Sequence, residues 1–587
     1  MCGIFALLNH ISSQTKYNID DIKNEFMKGK SRGPESSILE NVSIDLLFGF
    51  HRLAINGLTN ISDQPIRIKD VVLICNGEIY NYKQLYDLLK IEPSTYSDCE
   101  VIIHLYNKFG IDYTLQLLDG VFSFILLDNN PENNCMYVAR DPYGVRPLYY
   151  LSNDTSKSVF AFASEMKVLE NLKSFYGDDY TTKFFKPGTY TKFIYPIKIL
   201  SKWKVEYEKS YFELSFSPFR LPICSSVDVL NTKESYKQII IAIRNLLTAS
   251  VFKRCSVTER PIACLLSGGL DSSIIASIIC YYRKLNKMPP LETYSIGLEG
   301  SEDLKYAKEV SKFLKTIHTT VILSEKEFID AIPEVIYAIE SYDTTTVRAS
   351  IGNYLIGKYI SKNSNAKVIF NGDGSDELLG GYLYFHKAPN CIEFDKECRN
   401  LLKNIHKYDV LRSDKSISSN GLEPRTPYLD RTFSQFCLSI PIEMRSSNIN
   451  PLNNKYQHIE KNLLRSAFDV ENTGYQYLPD NVLWRTKEAF SDGVSSRKNS
   501  LYEIIQNFVE TKYTDEDLEK WQQIYKHNTP QTKEQLYYRN IFESNFKNNA
   551  EIIPQFWMPK FVEANDPSAR TLNVYIEENS ELQERSL

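Results

Sequence analysis

The segment at residues 261–285 constrains the fold more than any other part of the chain. It reads PIACLLSGGLDSSIIASIICYYRKL, which is a short apolar run, a Ser-Gly-Gly loop and then apolar pairs at helical spacing. A strand, a loop and a helix in that order open a parallel α/β unit. Two more apolar runs end in comparable loops, near residue 296 (LETYSIGLEG) and near residue 371 (AKVIFNGDGSDE). Because parallel strands present their carboxyl ends at one edge, these loops are predicted to border one ligand site.

Length and composition favour a globular protein of several domains. The chain has 587 residues, of which 43% are apolar and 24% charged, and this excludes a mainly disordered or fibrous protein. A formal net charge of −5 gives no electrostatic reason to bind nucleic acid or an anionic membrane. Since no apolar stretch approaches the roughly 20 residues that span a bilayer, we expect no membrane segment.

Cysteine usage and the N-terminus favour a reducing compartment. The eleven cysteines include no C-x-x-C pair, so neither a zinc site nor a disulfide framework is predicted. The start, MCGIFALLNH, lacks the positive charge and the long apolar run of a secretory signal. We therefore expect a cytoplasmic protein.

A change in the pattern of apolar and turn-forming residues along the chain predicts two domains. Residues 2–195 are rich in short apolar runs separated by Gly, Asn and Pro, which is typical of a layered antiparallel α/β domain. Residues 196–231 lose periodicity and gather prolines, and are predicted as a linker. Residues 232–560 form the predicted second domain, with a helix over residues 235–253 and mostly helical structure after the third strand. Residues 561–587 are predicted as a C-terminal tail.

Cys2 directly follows the initiator Met1, and removal of Met1 would leave a thiol and a free α-amine on one residue. An α-amine has a pKa of about 8 and a thiol of about 8.5, so the amine can accept the thiol proton near neutral pH. A single cysteine is more often a buried apolar residue. The interpretation of Cys2 as a nucleophile therefore depends on its context.

The context of Cys2 supplies the other groups that attack on a free amino acid's carboxamide requires. Asn76 and Gly77 offer a side-chain amide and a backbone N–H as donors to an oxyanion, although Asn-Gly is also an ordinary turn. Arg52 and Asp98 offer a cation for the α-carboxylate and an anion for the α-ammonium. Each is individually weak evidence, since most Arg and Asp residues are solvated at the surface.

Together these segments resemble the class II glutamine amidotransferase domain. The resemblance rests on MCGIFALL, RGP, HRLAI, QPI, NGEIYN, LDGVFSF, RDPYGVRPLYY and FASEMK, in this order. It implies an N-terminal-nucleophile (Ntn) hydrolase-type αββα sandwich, in which Cys2 forms a thioester with glutamine and releases ammonia. The residues that it implies for glutamine binding are Arg52, Leu53, Ala54, Ile55, Asn56, Asn76, Gly77, Glu78 and Asp98. Ser31 departs from the family's usual His before RGP, and we expect this change to be tolerated.

The loop at residues 267–273 has the composition of a phosphate-binding loop. Between a strand and a helix, its N–H groups can cradle phosphate oxygens, while Ser267, Ser272 and Ser273 add hydroxyl donors. Asp271 is a carboxylate suited to holding Mg²⁺. The loop lacks the Gly-Lys-Ser/Thr of a Walker A sequence. A plain Gly-Gly turn before a helix is the alternative.

The loop resembles that of the ATP pyrophosphatase superfamily, and the chain around it resembles the synthetase domain of the asparagine synthetase family. The matching segments are YSIGLE, YDTTTVRAS, NGDGSDELLGGY, GLEPRTPYLD, KNLLR and LWRTKEAFSDGV. The resemblance implies an adenine nucleotide alpha hydrolase-like parallel sheet. It implies ATP contacts at Leu265, Ser267, Gly268, Gly269, Asp271, Ser272, Ser273, Ile296, Asn371 and Gly372.

The same resemblance implies catalytic and aspartate-binding residues. Lys487 would approach the phosphates, and Thr345, Arg348 and Arg425 would hold aspartate carboxylates, although structural ion pairs would explain both arginines equally well. Asp373 occupies the position of a glutamate linked to the β-aspartyl-AMP intermediate, and its side chain is one methylene shorter.

The implied function is synthesis of asparagine from aspartate, with ATP and Mg²⁺ and with glutamine as nitrogen donor. Because ammonia in bulk water would be protonated, a shielded channel between the sites is predicted, walled by parts of RDPYGVRPLYY and FASEMK. Two alternatives stay open: a class II amidotransferase with another acceptor, and a family-like protein retained for binding or storage. The oligomeric state is also open, with a homodimer as one candidate.

Overall fold

The computed structural model describes residues 1–11, 18–153, 158–177, 179–196, 201–214, 233–446, 459–486, 494–495, 500–564 and 566–568. Within these ranges the β-strands are β1 (Gly3–Leu8), β2 (Ser36–Ser43), β3 (Leu46–Arg52), β4 (Ile66–Ile68), β5 (Val71–Ile79), β6 (Gly120–Asp128), β7 (Cys135–Arg140), β8 (Tyr149–Ser152), β9 (Phe160–Ala163), β10 (Thr181–Phe184), β11 (Thr189–Ile194), β12 (Lys204–Ser210), β13 (Ile262–Leu265), β14 (Glu292–Leu298), β15 (Ile317–Leu323), β16 (Val368–Phe370) and β17 (Glu423–Arg425).

The α-helices in the same ranges begin with those of the N-terminal half: α1 (Ile19–Met27), α2 (Tyr82–Leu89), α3 (Val101–Leu117) and α4 (Leu172–Tyr176). They continue with α5 (Lys233–Ser256), α6 (Leu270–Leu285), α7 (Glu302–Leu314), α8 (Glu325–Asp330), α9 (Ile332–Ile339), α10 (Thr344–Asn363), α11 (Ser375–Leu379), α12 (Cys391–Asn404), α13 (Asp409–Ser418), α14 (Arg431–Ser439), α15 (Ile442–Arg445), α16 (Asn462–Phe468), α17 (Val470–Thr473), α18 (Asp480–Leu483), α19 (Leu501–Glu510), α20 (Asp515–Ile524) and α21 (Lys533–Asn545).

Two antiparallel sheets form the core of the N-terminal domain. Their strand orders are β10-β8-β9-β1-β3-β2 and β12-β11-β7-β6-β5-β4. In β1, Ile4 and Ala6 face an apolar layer shared with the second sheet, whereas Phe5 and Leu7 face the opposite side, because side chains alternate along a strand. A strand that is buried on both faces reads as a continuous apolar run, as β1 does.

Helices cover the outer faces of both sheets. Asn18 caps α1 by accepting N–H bonds from Asp20 and Asp21, and the helix presents Ile22 and Phe26 to the first sheet. Helices α2 and α3 pack against the other face of the second sheet. The helix-sheet-sheet-helix layering confirms the predicted αββα sandwich.

Strand β12 lies inside the range that we predicted as a linker. It pairs with β11 in an antiparallel register that shifts once, between Lys192 and Phe193, so the second sheet extends past residue 195. The prediction failed here because β12 is exposed along its length, so only Val205 and Tyr207 interrupt its polar residues. Residues 215–232 of the predicted linker lie outside the described residues.

A parallel sheet in the order β15-β14-β13-β16-β17 forms the core of the C-terminal domain. The predicted strands at β13, β14 and β16 and the predicted helix at α5 are confirmed. The sequence analysis missed the two edge strands. β15 has no buried residue, and β17 has three residues with a proline at its centre, so neither shows the apolar run of a buried parallel strand. Among the described residues, no helix is both long and apolar enough to cross a membrane.

Buried charges join the two domains. Arg32 of the N-terminal domain lies 2.7 Å from Asp414 of α13 and 3.2 Å from Glu165, and Arg146 lies 3.1 Å from Asp414. All four side chains are almost fully buried. A desolvated ion pair requires close partners on both sides, so this cluster fixes the orientation of one domain against the other.

Candidate active sites

Cys2 lies at the start of β1, where the two domains meet. Its thiol donates to the Leu53 carbonyl at 3.5 Å, and its own carbonyl accepts a bond from Arg32 Nε at 3.0 Å. The Met1 α-amine is buried and donates to the Leu422 carbonyl of the C-terminal domain at 3.0 Å. With Met1 attached, burial raises the pKa of the Cys2 thiol to about 11 and lowers that of the Met1 amine to about 5. Neither group suits nucleophilic chemistry in that form.

Asn76 and Gly77 lie in β5, opposite Ser123 and Phe122 of β6. The Asn76 amide nitrogen donates to Ser164 Oγ at 3.3 Å, and the same hydroxyl accepts the Ile4 N–H at 3.0 Å. Ser164 therefore ties Asn76 to the strand that begins beside Cys2. The Asn76 side chain is fully buried, so it can act as a fixed donor to a developing oxyanion.

The predicted glutamine-binding segment at residues 52–56 begins with the last residue of β3 and contacts the C-terminal domain. The Ala54 carbonyl accepts a bond from Arg260 Nε at 2.8 Å, and the Ile55 carbonyl accepts the Glu259 N–H at 3.0 Å. Leu53 and Ile55 are buried in an apolar cluster that includes residues of α5. The segment is thus held on the C-terminal domain by main-chain hydrogen bonds and by apolar contacts.

The charged glutamine-binding candidates already have protein partners. Arg52 lies 2.5 Å from Asp63 and also donates to the carbonyls of Thr59 and Gly57. Asp98 accepts the Ile79 N–H at 2.7 Å, and burial raises its pKa to about 6. Both side chains are buried. Of the two, Asp98 contacts the end of β5, the strand that carries Asn76.

The C-terminal domain contains a cavity of about 180 Å³ at the carboxyl ends of β13, β14 and β16. The predicted residues that line it are Leu265, Ser267, Gly269, Asp271, Ser272, Ile296, Thr345, Asn371, Gly372 and Asp373. The Thr345 hydroxyl is buried and has no hydrogen-bond partner among the described residues, so it is free to meet a ligand. The loops after three parallel strands border one site, as the sequence predicted.

Close packing explains the glycines of these loops. Gly268 has φ of +75°, and a Cβ there would lie 2.6 Å from Tyr306 Cβ, so only glycine fits. A Cβ at Gly372 would lie 2.8 Å from Asp271 Cβ. The loops after β13 and β16 therefore touch, which brings Asp271 and Asp373 to the same wall of the cavity. Gly268 and Ser273 themselves do not line the cavity, since Gly268 packs on α7 and Ser273 is fully buried in α6.

Lys461 bridges two carboxylates beside the cavity. Its Nζ lies 2.6 Å from Asp271 Oδ2 and 2.5 Å from Asp376 Oδ1, and the lysine side chain is 1% exposed. Ser375 donates to the other oxygen of Asp271 at 2.7 Å. Two carboxylates converging on one cationic centre are a suitable donor set for a divalent cation. Among the described residues, no group of three or more His, Cys, Asp or Glu side chains could hold a metal.

Asp373 lies in an acidic wall of the cavity. Its Oδ1 is 4.0 Å from Arg412, and its Oδ2 is buried without a hydrogen-bond partner in the described part of the chain. Arg412 is held mainly by Asp409. Burial raises the pKa of Asp373, and Arg412 opposes that shift. Asn371 donates from its side-chain amide to Ser413 Oγ at 2.6 Å, and its backbone N–H donates to the Arg425 carbonyl at 3.1 Å.

Neither of the two arginines predicted to bind aspartate lines the cavity. Arg348 is paired with Glu534 at 2.5 Å and Asp566 at 2.8 Å. Arg425 points to the N-terminal domain and is paired with Glu423 and Glu78. Both arginines form structural ion pairs, which was the alternative to aspartate binding. A buried guanidinium needs a nearby carboxylate, and these carboxylates belong to the protein, so the structure does not support the aspartate-binding prediction. Lys487 lies outside the described residues.

Several cavity residues received no role from the sequence. Lys461, Asp376 and Arg485 line the cavity. They lie in KNLLR, NGDGSDE and LWRTKEAF, the segments that carried the family resemblance. The charge of these residues inside the matching segments was the only sequence signal for a role in the site. Their ion-pair partners could not be inferred, because those partners lie far away in the sequence.

The comparisons with known proteins cover nearly the whole chain. The family model described as asparagine synthase matches residues 242–397 and 389–560, and the glutamine amidotransferase domain model matches residues 1–186. The chain belongs to the asparagine synthase family. Curated relatives named asparagine synthetase [glutamine-hydrolyzing] include those of Cricetulus griseus and Gallus gallus, each 42% identical over 98% of this chain and 99% of the relative. The Homo sapiens relative of the same name is 41% identical over the same shares. These family matches confirm the resemblance stated from the motifs.

Proposed function

We propose that this asparagine synthase family chain makes asparagine from aspartate, with glutamine as the nitrogen donor and ATP cleaved to AMP and pyrophosphate. The observation that carries the proposal is the cavity after β13, β14 and β16, where the loop at residues 267–273 faces Thr345 and Asp373. A phosphate loop and an acceptor region in one cavity suit activation of a carboxylate by ATP. The N-terminal domain, with Cys2 beside the Asn76 corner, supplies the nitrogen.

The glutaminase step begins with removal of Met1. The exposed α-amine of Cys2 then takes the thiol proton, and the thiolate attacks the glutamine carboxamide. Asn76 and the Gly77 N–H stabilise the oxyanion, while Arg52 and Asp98 recognise the α-carboxylate and the α-ammonium. The thioester is hydrolysed to glutamate after ammonia has left.

ATP binds with its phosphates at the loop of residues 267–273 and its adenosine near Leu265 and Ile296. The aspartate β-carboxylate attacks the α-phosphate, and the resulting β-aspartyl-AMP is attacked by ammonia. Lys487 and Asp373 are the proposed catalytic groups on this side. The buried, unpaired Oδ2 of Asp373 is consistent with an orienting role toward substrate.

Asp271 and Asp376 would hold Mg²⁺ against the phosphates. Both already lie within 2.6 Å of the Lys461 ammonium, which marks a point where their oxygens and a cation can meet. Two carboxylates plus phosphate oxygens form a common magnesium donor set. When bound, Mg²⁺ neutralises charge on the phosphates of the leaving pyrophosphate.

Ammonia must pass from Cys2 to the cavity without protonation in bulk water. Arg146, in one of the segments predicted to wall the route, pairs with Asp414 of α13. Glu165, in the other segment, joins the same buried cluster through Arg32. We place the passage along this interface. It predicts that isotopically labelled ammonium in solution does not exchange fully with glutamine-derived nitrogen before it reaches asparagine.

The test is a coupled assay with aspartate, ATP, Mg²⁺ and either glutamine or ammonium, which compares wild type with Cys2→Ala. We expect the variant to lose glutamine-dependent asparagine synthesis by about 100-fold or more and to keep ammonia-dependent synthesis. Pyrophosphate release with other carboxylic acids serves as the specificity control. No pyrophosphate release with aspartate and ammonium in wild type would contradict the proposal.

A further inference from the structure

The edge strand β17 of the C-terminal domain reaches the proposed glutamine site of the other domain. The Leu422 carbonyl just before this strand accepts the N-terminal amine beside Cys2. Two residues of the strand, Glu423 and Arg425, are 1% and 0% exposed. The strand is thus in the right place to contribute side chains to glutamine binding, a role that the sequence analysis assigned only to residues before residue 99.

Arg425 sends its guanidinium to Glu78, one of the predicted glutamine-binding residues. Arg425 Nη2 lies 3.3 Å from Glu78 Oε2, and the same oxygen accepts a bond from the Asn56 amide at 2.8 Å. Arg425 Nε lies 2.8 Å from Glu423 Oε1, and Nη1 donates to the Arg254 carbonyl. The hydrogen bonds to Glu423 and the Arg254 carbonyl fix the orientation of the guanidinium, and in that orientation Nη2 forms an ion pair with Glu78 without a hydrogen bond.

The surroundings of Glu78 make this contact consequential. Glu78 is buried, and burial together with Asp98 and Glu423 raises its pKa well above the usual range, while Arg425 opposes the shift. Arg425 is therefore the nearby cation that favours the ionised carboxylate. An ionised Glu78 attracts a ligand ammonium, whereas a neutral one does not.

The backbone of Arg425 has a separate task. Its carbonyl accepts the Asn371 N–H at 3.1 Å, and its strand pairs with β16, which ends at the cavity. Because this contact uses only main-chain atoms, a change of the side chain leaves the support of the nucleotide loop in place. The two sites can therefore be separated experimentally.

We propose that Arg425 is a positioning residue of the glutamine site, which holds the Glu78 carboxylate where it meets the α-ammonium of glutamine, so that the C-terminal domain completes the glutaminase. The inference rests on the proposed function, since it needs glutamine to bind beside Glu78. It replaces the sequence-based expectation that Arg425 binds aspartate.

The experiment measures glutamate release from glutamine and ammonia-dependent asparagine synthesis for wild type, Arg425→Met and Arg425→Lys. We expect Arg425→Met to raise the KM for glutamine at least 10-fold, with kcat within 3-fold and the KM for aspartate within 2-fold. Arg425→Lys keeps the positive charge, so its KM for glutamine should lie between those of wild type and Arg425→Met. A raised aspartate KM with an unchanged glutamine KM would restore the aspartate-binding role and overturn the inference.

A double-mutant cycle with Glu78→Gln tests whether Arg425 acts through Glu78. In the Glu78→Gln background, the change Arg425→Met should alter the glutamine KM by less than 2-fold, because the partner is already gone. Fully multiplicative effects would contradict the inference. Should Arg425→Met fail to fold, the cycle is run with Arg425→Lys, and the melting temperature is recorded for every variant. Wild-type protein that releases no glutamate would instead refute the proposed function.

Discussion

The ammonium of Lys461 lies 2.6 Å from a carboxylate oxygen of Asp271, the acidic residue in the first turn of α6. The second oxygen of Asp271 is held by Ser375 at 2.7 Å, and Asp376 shares the lysine. The lysine thus keeps two acidic side chains together at the wall of the cavity where phosphates are proposed to bind.

The change Lys461→Met should destabilise the free protein and make it more responsive to Mg²⁺. Loss of one partner of a buried ion pair costs about 3–5 kcal/mol, so we expect a lower melting temperature. Because the two carboxylates then lack this cation, Mg²⁺ should raise the melting temperature of the variant more than that of wild type. Thermal shift with and without Mg²⁺ measures both. Lys461→Arg keeps the charge and is the control, and equal Mg²⁺ responses in all three proteins would contradict the interpretation.

Glu340 anchors the domain interface and its loss should loosen it. Its carboxylate accepts the N–H groups of Met166 and Lys167 at 2.8 and 2.9 Å and pairs with the fully buried Lys415. The change Glu340→Ala leaves a buried ammonium with a lost partner, so we expect a loss of about 3–5 kcal/mol. Denaturant unfolding measures it. Glu340→Gln keeps one of the two acceptor oxygens and should lose less. Equal losses for the Ala and Gln variants would show that the remaining N–H acceptor contributes nothing measurable to stability.

Retention of Met1 should abolish glutaminase activity only. With Met1 attached, the thiol pKa is about 11 and the amine pKa about 5, so the amine cannot take the thiol proton near neutral pH. A lysine inserted between Met1 and Cys2 prevents methionine removal and should give a protein that uses ammonium but not glutamine. Intact-mass spectrometry identifies the N-terminus of each sample. Wild-type protein that retains Met1 and still hydrolyses glutamine would disprove this mechanism.

Glutamine binding should weaken as the pH falls through about 6. Burial raises the pKa of Asp98 to about 6, so the carboxylate is ionised above that pH and neutral below it. Glu423 raises this pKa further and Arg425 lowers it. Calorimetry with the Cys2→Ala variant, which binds without hydrolysis, should show a Kd for glutamine that rises about tenfold per pH unit below 6. Adding Asp98→Asn should remove this rise of the Kd at low pH. A rise that persists in the double variant would show that another group titrates.

The Asp373 position should tolerate a longer carboxylate and not a neutral amide. Asp373→Glu adds one methylene toward Arg412, which lies 4.0 Å away, so we expect ammonia-dependent kcat at or above wild type. Asp373→Asn removes the charge and should lower that kcat by at least about tenfold. Glutaminase activity serves as the internal control, since it should be the same in all three proteins. An Asn variant as active as wild type would exclude a role for the carboxylate.

Local sequence was sufficient for much of the fold. The short apolar runs of residues 2–195 predicted a layered antiparallel α/β domain, and the two antiparallel sheets form it. The run from Ile262 to Leu285 read as strand, loop and helix because the Gly-Gly turn interrupts two different periodicities. Strands β12, β15 and β17 lie at sheet edges and were missed, because β12 and β15 have no buried residue and β17 has only three residues, one of them proline.

The sequence by itself determined which chemistry-bearing residues are present, including Cys2, Asn76, Asp98, Asp271 and Asp373. Only the tertiary structure decided the partners of the buried charges. Arg425 reached Glu78 and not the cavity, and Lys461 met Asp271 across 190 positions of the chain. The physical reason is that a buried charge must find a compensating partner wherever the fold brings one, and no local pattern in the sequence records that distance.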